Sequence, residues 1–281
     1  MFIISTKSGV PLNSALDDIT DNTVPIKRPQ NWYVIRLPRT RAIRALNNIY
    51  VINTLSKNAI SELNMRLKGK ARTKLPFEIP SVDGDRIVSA RRRSKIRKLL
   101  LETIDSDLYK QSLIAAVAIT EGYLTKILRQ VLRWYPQKLT LIDKKIDLEV
   151  ILACSSLNEM MDRIIDRHLN SIFYSSPFSY LKYIEQIVSI EIDGFLQANY
   201  AEIKATRDVL VHNYGITNEI YLRKVGNSAR ADNNEKLPID SEYFDESIAC
   251  MKRLISSIYQ QMMEKYGETD FLSNKANVAH S

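Results

Sequence analysis

The sequence predicts an all-α fold, an up-and-down helical bundle preceded by a basic, mostly helical module. Three observations carry that expectation. Glycine and proline are scarce, 8 and 9 in 281 residues, and the abundant Leu, Ile, Ala, Lys, Arg and Glu favour helix. Apolar residues recur every three to four positions over long stretches. Short polar connections join those stretches, which favours antiparallel neighbours. An apolar fraction of 45% is enough for one sizeable core.

In chain order, residues 1–26 are polar and irregular and read as a flexible terminus. Trp32, Tyr33, Val34 and Ile35, between Pro29 and Pro38, read as a short strand over 31–37. Ile43, Leu46, Tyr50, Leu55, Leu63 and Leu67 place a long or broken helix over 39–68. Pro76, Pro80 and Asp83-Gly84 mark 70–85 as a loop, and a second basic helix is expected over 86–104. Residues 27–105 thus form the basic module. The bundle is expected over 106–267. Ser106 reads as the N-cap of a helix that runs to Trp134 and stops at Pro136. Within it Leu113 to Ile119 is apolar on all sides, so this helix should be central and buried. Further helices are expected over 147–168, 178–192 and 200–213, and from Asp240 or Ser241 to Tyr266. Gly215 and Gly267 suit the left-handed position that ends a helix, and 268–281 reads as a flexible tail.

The net charge of +8 is unevenly spread, with a strongly basic stretch from Lys27 to Leu100 and a mildly acidic remainder. A basic face suits a polyanion, because phosphate contacts release counterions whatever the base sequence. Arg91, Arg92, Arg93 and Lys95 are the candidate RNA-phosphate contacts; a solvated helix face is the plainer reading. Cys154 and Cys250 are far apart, with no CxxC and no histidine cluster, which predicts reduced thiols and neither zinc nor disulfide. No metal or cofactor is expected. The N-terminal Met1 to Ile4 lacks the basic flank and apolar run of a leader, and Leu113 to Ile119 is too short to span a bilayer. A soluble, cytoplasmic protein with no membrane partner is expected.

Two charges stand where an apolar residue belongs. Leu113, Val117, Glu121, Leu124 and Leu128 share one helix face, which Glu121 interrupts. Tyr200, Ile203, Arg207, Leu210 and Tyr214 form a similar stripe, interrupted by Arg207. A charge in a helix interface needs a partner or a wet cleft. The simplest arrangement pairs Glu121 with Arg207, as a structural ion pair or as a carboxylate orienting an arginine for phosphate. His212 follows Arg207 by five positions, about 140° of rotation and about 7.5 Å of rise in a regular helix. The two share a site only if the last turn unwinds or a second chain contributes. His168 and His280 read as structural.

The segment Arg207-Asp208-Val209-Leu210-Val211-His212 resembles the Arg-polar-x-x-x-His motif of the HEPN superfamily, with Asp208 in the polar position. Asn213, Gly215 and Ile216 after the histidine, then Glu219 to Leu222, are also similar to HEPN members, in particular the RiboL-PSP-type branch. The resemblance covers about 106–267 and leaves the basic module unassigned. It implies a metal-independent endoribonuclease acting as a homodimer, with Arg207 and His212 catalytic. His212 would handle the proton of the attacking 2′-hydroxyl or of the leaving 5′-oxygen, and Arg207 would hold the scissile phosphate. Asp208 or Asn213 would position the histidine or the RNA, with Glu121 supporting. The products implied are a 2′,3′-cyclic phosphate and a 5′-hydroxyl, in a toxin or antiphage effector governed by an antitoxin or regulatory partner. Tyr214 extends the motif to Arg-x4-His-x-Tyr, which resembles toxin subunits whose tyrosine is adenylylated by a partner nucleotidyltransferase. Those subunits are much shorter than this chain, and Tyr214 also fits the apolar stripe, so core packing is the favoured reading. Two alternatives remain open: a catalytically silent HEPN scaffold, and a nucleic-acid-binding protein with a helical dimerisation domain.

Overall fold

The computed structural model describes residues 33–69, 72–141, 154–173 and 176–266. The expected flexible terminus and tail, Gly267 and the start of the helix expected at 147 lie outside the described residues. The all-α expectation holds: 76% of the described residues are helical and 7% are strand.

Helix α1 spans Tyr33–Arg66 and takes in residues 33–37 of the segment expected as a strand, whose first two residues lie outside the described ones. The β-branched window at its start is overruled by a longer period. Ile35, Ala42, Leu46 and Asn53 are buried on one face, and that face packs against two later helices strongly enough to carry Pro38 within the helix. Asn53 is the polar member of the stripe. Its amide donates to Leu108 O (3.2 Å) and Ser112 Oγ (2.9 Å), which fixes α1 along the central helix.

The segment expected as a loop and then a helix forms an antiparallel hairpin instead, β1 (Lys74–Pro80) with β2 (Arg86–Arg92). Two prolines argue against a strand, yet neither interrupts this ladder. Thr73 O accepts from Arg93 N and Ser81 N donates to Asp85 O, so the odd-numbered residues of β1 face β2. Pro76 and Pro80 therefore sit on the outward edge, where no N–H is needed. Gly84 makes the turn at φ 89°. Helix α2 is accordingly short, Arg93–Glu102.

Ser106 is not an N-cap. Residues Thr103–Asp107 form one π turn that joins α2 directly to α3 (Leu108–Trp134), giving a single helical rod with Ile104 buried at the joint. The sequence-based boundary at residue 106 falls inside this rod, and α1 shares one core with the bundle. As expected, α3 is central, with Leu113, Ala116, Val117, Leu124, Leu128 and Leu132 fully buried.

Around α3 stand α4 (Leu157–Phe173), α5 (Pro177–Val188), α6 (Gly194–His212) and α8 (Ser241–Tyr266), with the short α7 (Glu219–Val225) against α6. Their starts follow cap chemistry. Ser176, Asp193, Asn218 and Asp240 each accept a bond from the backbone N–H three residues on. Asp193 explains why α6 begins six residues before the expected Tyr200. Arg133 makes a two-pronged bond to Asp162 (2.8 and 2.9 Å), and Arg129 pairs with Asp166, which ties α3 to α4. His168 is structural as expected: buried, with Nε2 2.5 Å from Tyr183 OH. Cys250 is a buried thiol outside any disulfide, and burial pushes it up to about 11. No helix among the described residues is long and apolar enough to cross a membrane.

Candidate active site

The end of α6 is built as a rigid corner. Asn213 leaves the helix, Tyr214 and Gly215 take positive φ (55° and 80°), and Gly215 N donates back to Val209 O at 3.1 Å. The chain beyond is clamped by a short ladder. Gly215 O accepts from Leu237 N (2.9 Å), and Thr217, fully buried, exchanges backbone bonds with Asn234 and Glu235. Asn213 braces the same turn through Ile216 O at 2.5 Å. Asn213 thus holds the corner.

The corner stands on a buried carboxylate that the sequence did not single out. Glu202 accepts from Thr206 (2.6 Å), Tyr221 (3.0 Å), Arg230 Nε (2.9 Å) and Tyr243 (2.8 Å). The Arg230 guanidinium lies 3.4 Å over the Tyr243 ring. Glu202 thereby gathers α6, α7, the loop after α7 and α8 around one point. Four donors satisfy its lone pairs, so its burial is stable and its role is scaffolding.

On the neighbouring face a groove of about 530 Å³ is lined by Glu121, Lys204, Arg207, Asp208, His212, Asn213, Asn218, Ile220, Tyr221 and Lys224, among others. It contains the charges singled out by the two interrupted stripes, and Arg207 Nη2 donates to Glu121 Oε2 at 2.5 Å. Glu121 has a second partner, for its Oε1 accepts from Lys204 Nζ, with both side chains 7% exposed. The arginine's other arm lies 3.2 Å from Asp208 Oδ1, whose second oxygen holds Lys224 Nζ at 3.0 Å. Asp208 is therefore committed to two cations and does not orient His212. Arg207 Nε is buried without an acceptor. His212 lies exposed at the rim, on the last helical residue, and lines the same groove as Arg207.

Tyr214 departs from its stripe. It is 94% exposed, in a left-handed conformation that costs a residue with a Cβ about 1–2 kcal/mol, so core packing does not explain it. Of the basic residues, Arg91, Arg92 and Lys95 line a second groove of about 540 Å³ together with Lys74, at the foot of the hairpin. Arg93 is half-buried with an unpartnered Nε and does not line it.

Sequence reasoning missed Lys204 and Lys224. Lys204 lies three residues before Arg207, on the same helix face, and that spacing was a usable signal. Lys224 reaches the groove only because α7 folds back on α6. Among the described residues, no three His, Cys, Asp or Glu side chains gather as a metal site. Compared with protein-family models, curated proteins and solved structures, the chain matches none of them.

Proposed function

We propose that this groove is the active site of an endoribonuclease of HEPN type. One observation carries the reading: the partly exposed Arg207 and the exposed His212 line one groove at a braced helix end. A partly exposed guanidinium suits a phosphodiester oxygen and the extra negative charge that develops on it. An exposed imidazole suits proton transfer near neutral pH. In the reaction the RNA 2′-oxygen bonds to phosphorus and the bond to the 5′-oxygen breaks. His212 takes the 2′-hydroxyl proton or supplies the proton that the 5′-oxygen gains. Glu121 and Asp208 hold Arg207 in place from either side. The products are a 2′,3′-cyclic phosphate and a 5′-hydroxyl. Arg91, Arg92 and Lys95 hold more distant phosphates of the same RNA through charge alone. The active unit is a homodimer, and Tyr214, exposed beside His212, is accessible to a modifying partner.

The test is a single-stranded RNA incubated with the purified protein in EDTA, with the product ends identified. Cyclic phosphate and 5′-hydroxyl ends are expected, with no cut 3′ of a nucleotide made 2′-deoxy. Ends bearing a 3′-hydroxyl, cleavage after the deoxy position, or a need for divalent metal would overturn the mechanism. A catalytically silent scaffold with this fold would leave the RNA whole.

A further inference from the structure

The charges lining the groove form an alternating chain: Lys204, Glu121, Arg207, Asp208, Lys224. The pairing within it is uneven. Lys204 and Glu121 are both buried, so each neutralises the other where water screens little. That leaves one carboxylate, Asp208, shared by two cations on different helices, Arg207 on α6 and Lys224 on α7. The Arg207 and Lys224 side chains are 19% and 28% exposed, partly open to solvent where the Lys204 ammonium is not. One positive charge is thus left over between Arg207 and Lys224. It faces the groove that His212 also lines.

The geometry points to Lys224 as a second phosphate-binding residue, acting with Arg207 to hold one phosphodiester monoanion in this groove. One surplus charge matches the single charge of a backbone phosphate. Two donors on separate helices grip it from two sides, and the partial exposure of Lys224 lets its ammonium turn from Asp208 to a ligand. Lys224 takes no part in the proton transfers, and its loss weakens the hold on the phosphate. The inference rests on the ribonuclease reading for its substrate, while the phosphate site itself is testable without cleavage.

The experiment uses the full chain and a 2′-deoxy trinucleotide, which cannot be cut by 2′-hydroxyl attack. Binding is followed by the imidazole resonance of His212, one of three histidines. Lys224→Ala is expected to weaken binding about tenfold, the low end for a charge-assisted contact that stays partly solvated. The slope of log affinity against log salt should fall by about 0.7, the value for one lost single-strand phosphate contact. Lys224→Arg should restore both. In RNA cleavage, kcat/KM should fall by about tenfold or more for Lys224→Ala and recover in Lys224→Arg. Unchanged affinity and salt slope in Lys224→Ala would overturn the inference, as would a wild-type protein that leaves the His212 resonance unmoved. If the trinucleotide binds in a Lys224-dependent way but RNA is not cut, the phosphate site stands and the ribonuclease reading falls.

Discussion

Replacing Glu121 by glutamine keeps the shape of the side chain and removes its charge. The carboxylate is 5% exposed and bonds Lys204 through one oxygen and Arg207 through the other. Without it the Lys204 ammonium, 7% exposed, becomes a buried charge facing a neutral amide. Removing one member of a buried pair costs about 3–5 kcal/mol, because the partner's desolvation is no longer offset. Arg207, more exposed, adds little to that figure. Since a domain holds about 5–15 kcal/mol in all, the loss is a large fraction of the total. Urea denaturation followed by circular dichroism reads it as a lower midpoint at unchanged slope. The double variant Glu121→Gln with Lys204→Met removes the buried ammonium as well and should recover most of the loss, since a buried pair replaced by neutral groups of similar volume is often neutral in stability. A loss below about 1 kcal/mol in Glu121→Gln, the size of an exposed pair, would refute the buried-triad argument.

Gly215→Ala should cost about 1–2 kcal/mol, because φ is 80° and the new Cβ would lie 3.3 Å from Leu210 Cδ2; unchanged stability in urea would contradict the corner geometry. Burial pushes the Tyr221 and Tyr266 hydroxyls up to about 12 and raises Tyr123, Tyr180, Tyr183, Tyr200 and Tyr243 as well. Raised folded values mean that their stabilisation is full below the unfolded tyrosine pKa of about 10 and is lost as pH climbs through about 12. Tyrosinate absorbance and loss of helix should therefore rise in one cooperative step above about pH 10; tyrosinate forming gradually while helix persists would oppose this. Charge reversal of Arg91, Arg92 and Lys95 should cut the salt slope of single-stranded RNA binding by about 2, at about 0.7 per contact. An unaltered slope would make that groove a solvated face only.

The helices were legible wherever the apolar period was long. α3 and α8 follow directly from their stripes, and Asp240 from its cap. The failures came from short windows whose meaning is set by distant contacts. Tyr33 to Ile35 looks extended until Ala42, Leu46 and Asn53 continue the face of Ile35 as a helix. Pro76 and Pro80 argue against a strand unless their parity places both on an outer edge, which one sequence does not disclose. Ser106 has the chemistry of a cap, but a π turn carries the helix past it. In the groove, Glu121 and Arg207 were visible as breaks in apolar stripes, and His212 by its place before Gly215. Lys204 looked like any helical lysine because burial is a tertiary property. Glu202 and Lys224 depend on how α7 and the loop after it fold back on α6. The exposure of Tyr214 follows from a left-handed turn that its apolar spacing conceals.

The account rests most on the joint action of Arg207 and His212, and the rate of RNA cleavage in EDTA by the wild type, Arg207→Ala and His212→Ala tests it most directly. Each substitution should lower kcat by about 10²–10⁴-fold, the range for losing a proton-transfer group or a charge-stabilising donor, with the helical circular dichroism unchanged. Cleavage that persists at the wild-type rate in either variant would contradict the account.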